Sequence, residues 1–311
     1  MFAEVIAFVI FLVAVYVVST IWENRKLPPG PFPLPVLGNL LSIGHKRPYE
    51  DLANMAKTYG KLFRIHMGSR KVIVINKLSQ NTIHKSSSEN QIFIMLISML
   101  SLFNSSASDI FFPGTEDPTS ILNWFLLYVT KYPDLQAQIH RQLDDVIGNT
   151  SRLPEISDKP NLPYLEAFIA EVQRIVSETP LAVPHSTTRD TSLAGFFIPR
   201  DMTVFVNLWA IHHDPDRWED PACFRPERFL DERGRFHSAE GFMPFSLGKR
   251  SCLGKAFGRK TVFIYAARLL YRFKFECPPG EFLPSAEDSE NGIVLDCKPF
   301  AICAKERRNT N

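Results

Sequence analysis

One short segment of the chain has the residue types and spacing to hold a metal-containing cofactor. Residues 245–254 read FSLGKRSCLG and lead directly into a predicted helix. Free backbone N–H groups and the helix dipole at such an N-terminus stabilise a thiolate on Cys252. Gly248 and Gly254 let the backbone approach a large flat ligand, and Arg250 can pair with an anionic group on its rim. A thiolate presented in this way can serve as an axial ligand of haem iron.

The other cysteines show no comparable pattern. They are Cys223, Cys277, Cys297 and Cys303. An odd total of five cysteines without a CxxC pair argues against a disulfide framework and against a closed zinc site. We expect these four residues to be inert.

Two further patterns lie upstream of Cys252. Glu171 and Arg174 are three positions apart in a predicted helix, and residues 224–229 read FRPERF and contain Arg228. Taken alone, the first two residues are a solvated helix pair worth a few tenths of a kcal/mol. His185 follows a proline, and a single histidine is usually a satisfied surface or core residue.

With these motifs together, FxxGxRxCxG, ExxR and PERF, the chain resembles the cytochromes P450 of the microsomal kind that hydroxylate steroids and foreign compounds. The resemblance covers residues 1–77 and 109–303. It implies a mainly α fold with a small β-sheet region and a haem whose iron is bound by the Cys252 thiolate. It also implies monooxygenation, in which one oxygen atom of O₂ enters a lipophilic small molecule. Electrons would come from an NADPH-dependent flavoprotein reductase.

The resemblance also assigns expected roles to individual residues. Glu171, Arg174 and Arg228 would form a buried ion-pair triad behind the haem. His185 would reach a haem propionate. The haem-binding loop would comprise Phe245, Gly248, Arg250, Cys252 and Gly254.

The oxygen-activating helix of the family corresponds to residues 109–118, DIFFPGTEDP. Gly114 matches the position that gives oxygen room, and Glu116 matches the acid of the proton path. Asp117 stands where the family has a threonine hydroxyl that steadies bound oxygen. Pro118 is predicted to break or kink the helix, at a cost of about 3 kcal/mol in a helix interior. These departures argue against efficient oxygen cleavage.

Residues 78–108 are too few for the substrate loop, the WxxxR helix and the roof of the family's substrate pocket. Trp22, Trp124, Trp209 and Trp218 all lie outside this interval. The chain therefore resembles a P450 with an internal deletion between about residues 78 and 108. The alternative function is a non-catalytic, truncated membrane protein that binds haem weakly or competes for the reductase. The intact cysteine loop favours the enzyme, whereas the deletion and Asp117 favour the alternative.

The N-terminus is predicted to be a membrane anchor. Residues 5–21 carry no charge, and Arg25 and Lys26 follow them. The alternative of a buried core helix fits this length and composition less well. The positive-inside rule then predicts a single-pass protein of the endoplasmic reticulum membrane, in contact with lipid, with its catalytic part in the cytosol. The predicted domains are an anchor (1–26), a proline-rich hinge (27–40) and a haem domain (41–311).

Charge excludes one class of partner. The chain has 35 Lys and Arg against 33 Asp and Glu, a net charge of +2, which is too balanced for a nucleic-acid-binding surface. A local basic cluster nevertheless surrounds the cysteine loop: Lys249, Arg250, Lys255, Arg259 and Lys260. It is either an ordinary solvated helix face or a docking surface for an acidic reductase domain.

Hydrophobic periodicity predicts the elements that position these residues. A hairpin is predicted over residues 63–75. The predicted helices cover residues 134–147, 163–176 and 253–273, and the predicted strands cover residues 196–198, 203–207 and 292–297.

Overall fold

The computed structural model describes residues 2–77, 94–96, 105–148, 152–285, 288–290 and 292–307. The α-helices in these ranges are α1 (Phe2–Asn24), α2 (Pro48–Tyr59), α3 (Ser105–Lys131), α4 (Pro133–Ile147), α5 (Pro163–Val176), α6 (Leu208–His212) and α7 (Lys255–Arg272). The strands are β1 (Leu62–Met67), β2 (Arg70–Ile75), β3 (Ile94–Leu96), β4 (His185–Thr187), β5 (Thr191–Leu193), β6 (Phe196–Ile198), β7 (Thr203–Val206), β8 (Phe273–Glu276), β9 (Ser289–Glu290), β10 (Asp296–Cys297) and β11 (Cys303–Glu306). The predicted mainly α fold with a small β-sheet region is confirmed.

The helical part is held by an apolar core shared by α3, α4, α5 and α7. Phe125 of α3 and Phe168 of α5 meet edge to face, with ring centroids 5.4 Å apart. Leu143 of α4 and Phe263 of α7 are buried in the same cluster. Each such side chain contributes about 1.5–3 kcal/mol by leaving water. Helix α5 has the predicted extent, and α4 begins one residue before its predicted start. As predicted, α4 ends at Gly148, whose φ of +68° suits glycine.

The largest sheet has the strand order β1-β2-β7-β4-β3. β1 and β2 form the predicted hairpin, and β7 pairs parallel to β2. The strand predicted over residues 292–297 is shorter, because only Asp296 and Cys297 pair as strand. Leu295 does not pair as strand: its N–H donates to the Glu178 carbonyl at 2.6 Å, and its own carbonyl accepts from the Trp124 indole at 2.8 Å.

Helix α3 is continuous through both Pro113 and Pro118. Of the break or kink predicted at Pro118, the break is therefore wrong, and the kink stays a prediction. The missing N–H of Pro118 removes one helical hydrogen bond, the one that would reach the Gly114 carbonyl. Beyond this point Trp124 and Phe125 are fully buried. Packing of the second half therefore holds the helix despite the unfavourable propensity.

Among the described residues, one helix is long and apolar enough to cross a membrane, and it spans Glu4–Asn24. It contains the uncharged residues 5–21 of the predicted anchor. The Tyr16 hydroxyl donates to the Pro33 carbonyl at 3.0 Å, and Glu23 pairs with Lys71 at 2.7 Å. The first contact ties the proline-rich segment to this helix, and the second ties the helix to β2.

Candidate functional site

The Cys252 loop is fixed by its own backbone. Its single 3₁₀ turn spans Gly248–Arg250, and Gly248 has a φ of +77°, which favours glycine. The N–H of Cys252 donates to the Phe245 carbonyl at 2.9 Å. A Cβ added to Gly254 would lie 3.7 Å from the Cys252 sulfur, so glycine leaves the space beside the sulfur open. The Cys252 side chain is exposed just ahead of α7.

Large exposed apolar side chains flank Cys252 along the chain. Leu253 is 94% exposed and Phe257 is 64% exposed, and Leu247 at the other side of the loop is exposed as well. Apolar surface of this kind is stabilised when another apolar surface covers it. The loop therefore presents a sulfur ligand within an apolar rim, which suits a flat apolar cofactor.

His185 and Arg250 are the polar groups that the sequence assigns to this site. His185 is buried in β4, and its Nδ1 has no hydrogen-bond partner among the described residues. Burial lowers the pKa of His185, and the positive charge of Arg250 lowers it further, so the two groups are electrostatic neighbours. A carboxylate beside them would satisfy Nδ1 and pair with the guanidinium. This orphaned nitrogen fits the propionate of a haem.

The structure brings Glu171, Arg174 and Arg228 together. Arg174 Nε lies 2.7 Å from one carboxylate oxygen of Glu171, and its Nη2 lies 2.8 Å from the other. Arg228 Nε lies 3.0 Å from the same carboxylate. Because the side chains of Glu171 and Arg174 are 0% exposed, they are not the solvated helix pair that their spacing alone suggests. The three residues join α5 to the PERF turn, Pro226–Phe229.

Gly114, Glu116 and Asp117 lie in α3. A Cβ at Gly114 would meet nothing within 4 Å, so open space adjoins the helix there. Oε2 of Glu116 is buried and has no hydrogen-bond partner within the described part of the chain. Burial raises the pKa of the half-buried Asp117, and the charges of Glu116 and Asp296 raise it further.

Glu178 is a further acid in the neighbourhood of Asp117 and Asp296. Burial raises its pKa well above the ordinary value, and the charges of Asp117 and Asp296 act in the same direction. Leu295 is hydrogen-bonded to the Glu178 carbonyl and to the Trp124 indole. These bonds join the three segments that carry Asp117, Glu178 and Asp296. Carboxyl groups in this setting retain protons closer to neutral pH. Sequence reasoning missed Glu178, because no spacing links it to α3.

The basic residues around the loop do not all face solvent. The guanidinium of Arg259 lies 5.4 Å from the centre of the Phe245 ring and stacks over it. Lys249, Arg250 and Lys260 are exposed, and Lys255 is partly buried. The cluster therefore presents positive charge beside the cysteine loop while one of its members braces Phe245.

Comparison with known proteins gives a family match and several relatives. The family model for "Cytochrome P450" matches residues 28–89 and 101–304. Human "Cytochrome P450 1A2" is 47% identical over 176 residues, which cover 56% of this chain and 34% of that protein. The chicken "Steroid 17-alpha-hydroxylase/17,20 lyase" is 42% identical over 204 residues, covering 65% of this chain and 40% of that protein.

The rat protein "Cytochrome P450 1A1" is 47% identical over 175 residues, which cover 56% of this chain and 33% of that protein. The chain thus spans about a third to two fifths of the length of the curated relatives that it matches. The match to the family model includes the Cys252 loop, Glu171, Arg174 and Arg228, because it covers residues 101–304.

Proposed function

Because the chain belongs to the cytochrome P450 family, we propose that it is a haem-thiolate monooxygenase. In this function one oxygen atom of O₂ is inserted into a lipophilic small molecule such as a steroid or a xenobiotic. The observation that carries the proposal is the exposed Cys252 sulfur within an apolar rim, with His185 and Arg250 as electrostatic neighbours.

Haem would be held by the loop and by β4. Cys252 would ligate the iron, His185 and Arg250 would hold the propionates, and Phe245 would pack against the ring. When bound, a haem with a thiolate ligand would supply the chemistry of oxygen activation. The positive φ of Gly248 keeps the loop in the conformation that presents Cys252.

Proton delivery would fall to α3. Gly114 leaves open space, and the unpartnered Oε2 of Glu116 can accept and pass on a proton. Asp117 and Glu178, whose pKa values are raised, can hold protons next to it.

Electrons would come from an NADPH-dependent flavoprotein reductase that docks on the basic cluster. Helix α1 would anchor the chain in the endoplasmic reticulum membrane, with the haem domain in the cytosol. This position gives the domain access to lipophilic substrates dissolved in lipid. The domain bounds proposed from the sequence, 1–26, 27–40 and 41–311, follow the same division.

A second candidate is a non-catalytic P450-like membrane protein that binds haem weakly or occupies the reductase. Asp117 favours it, because an acid replaces the family hydroxyl there, and so does the short interval of residues 78–108. The two candidates differ in one outcome. The enzyme forms oxidised product with reductase and NADPH, whereas the second candidate competes for reductase without forming product.

The cofactor assignment is tested by the carbon monoxide difference spectrum of the reduced, haem-reconstituted chain. We expect a thiolate band that Cys252→Ala abolishes. The control variants replace the other cysteines by alanine one at a time, at Cys223, Cys277, Cys297 and Cys303. A thiolate band that survives in Cys252→Ala would overturn the assignment.

A further inference from the structure

His212 is fully buried at the end of α6, and both of its ring nitrogens are used. Nε2 lies 3.1 Å from the backbone N of Met243, which donates to it. Nδ1 lies 2.9 Å from the hydroxyl oxygen of Ser177. Because Nε2 accepts an N–H, the ring proton is on Nδ1 and is donated to Ser177, whose hydroxyl donates to the Arg174 carbonyl at 2.9 Å.

The backbone of His212 contacts the same arginine. Its carbonyl accepts from Nη1 of Arg174 at 2.8 Å. His212 is thus joined to Arg174 twice, once through its own carbonyl and once through Ser177. Its side chain therefore has a fixed position relative to the buried Glu171–Arg174 pair.

On its other side, His212 holds the start of the cysteine loop. The Ser246 N–H donates to the Met243 carbonyl at 2.9 Å, which closes a turn. Phe245, inside that turn, accepts the N–H of Cys252 at 2.9 Å. Three consecutive hydrogen bonds therefore link the imidazole to the backbone of Cys252.

The imidazole remains neutral while it does this. Burial lowers the pKa of His212 to about 3, and the nearby positive charges of His213 and Arg174 act in the same direction. Nε2 is therefore an acceptor for Met243 throughout the neutral pH range.

From these contacts we propose that His212 is a positioning residue that fixes the Cys252 loop to the Glu171–Arg174 pair. This inference rests on the proposed haem-thiolate function, since the loop that it fixes presents the iron ligand. It is carried by the hydrogen bond to Met243, which connects two parts of the chain that are otherwise distant in sequence.

Two substitutions distinguish the hydrogen bond to Met243 from the other contacts of His212. In His212→Gln the amide oxygen reaches about as far from the backbone as Nε2 and can still accept the Met243 N–H. In His212→Asn the shorter amide reaches the position of Nδ1, so it keeps the contact with Ser177 and loses the one with Met243. Both variants retain the backbone carbonyl that binds Arg174.

The measurements are hydrogen exchange of residues 243–252 and of α5 in the full chain, and the carbon monoxide difference spectrum after reconstitution with haem. We expect His212→Asn to exchange roughly 10- to 100-fold faster over residues 243–252, with α5 unchanged, because a buried acceptor is lost. We also expect it to lose most of the thiolate band. His212→Gln keeps both the slow exchange and the band.

Equal exchange and equal spectra in the two variants would overturn the proposal. It is also overturned if α5 exchanges faster by the same factor, because that result indicates general destabilisation. If His212→Asn does not fold, His212→Gln decides alone: it must protect residues 243–252 as wild type does. A wild-type chain without a thiolate band refutes the proposed function. Even then, the hydrogen exchange of residues 243–252 in the two variants still tests whether His212 fixes the position of the loop.

Discussion

Truncation of Arg174 to alanine removes the partner of a carboxylate that has no access to water. Arg174 gives Glu171 one hydrogen bond to each carboxylate oxygen, at 2.7 Å and 2.8 Å. After truncation, Glu171 keeps the Arg228 guanidinium at 3.0 Å and the Arg225 N–H at 2.9 Å, both on Oε1. Oε2 loses the bond that Arg174 supplied, so part of a buried negative charge is left uncompensated.

The cost follows from this geometry. Removing one partner of a buried ion pair costs about 3–5 kcal/mol. Domains are stable by only about 5–15 kcal/mol, so this loss is a large fraction of the total. At about 2–4 °C per kcal/mol for a chain of this size, we expect the thermal midpoint of Arg174→Ala to fall by about 6–20 °C. Arg174→Lys keeps the charge but not the two-pronged contact, so its midpoint should fall by less.

The assay is thermal unfolding followed by circular dichroism on the full chain in detergent. Arg235→Ala is the matched control, because Arg235 pairs with Asp231 on the surface and is 68% exposed. Exposed pairs contribute about 0–1 kcal/mol, so the control should unfold close to wild type. If Arg174→Ala unfolds at the same temperature as Arg235→Ala, the argument from burial is wrong.

Two other predictions concern turnover. The wild-type chain should consume NADPH with little product. If a substrate pocket lies above the haem, replacing Asp117 and Pro118 by two threonines should raise the product formed per NADPH, because a hydroxyl and a helical N–H are restored. Equal and tight coupling in both versions, measured as product against NADPH, would contradict this reasoning. Charge reversal at Lys255 and Lys260 should slow reductase association most at low salt, because surface charges are screened beyond about 8–10 Å at physiological ionic strength. Haem content serves as the control, and superimposable rate curves against salt would exclude a docking role for these lysines.

The sequence by itself determined those helices and turns that depend on interactions between residues close together in the chain. The apolar spacing of α5 predicted its extent, and Gly148 marked the end of α4, because both depend on residues within a few turns. The motif around Cys252 likewise specified its own turn, since the positive φ of Gly248 and the contact at Gly254 arise within ten residues. The candidate iron ligand could therefore be named before any fold was known.

Only the tertiary structure decided how these parts are joined. Pro118 does not interrupt α3, because packing of Trp124 and Phe125 outweighs one missing hydrogen bond. The last predicted strand is shortened because Leu295 bonds to Glu178 and Trp124 instead of to a neighbouring strand. Neither outcome can be deduced from propensity, because each depends on groups far away along the chain.

Contacts between distant parts of the chain also explain why the sequence did not reveal Glu178 and His212 or the burial of Glu171 and Arg174. Spacing alone made Glu171 and Arg174 a surface pair, yet burial makes them the centre of a network that reaches Arg228 and the His212 carbonyl. Glu178 and His212 carry no motif, and they matter because folding brings an acid beside Asp117 and an imidazole beside the cysteine loop. The sequence alone identified the candidate ligand, whereas burial and long-range hydrogen bonds determined its surroundings.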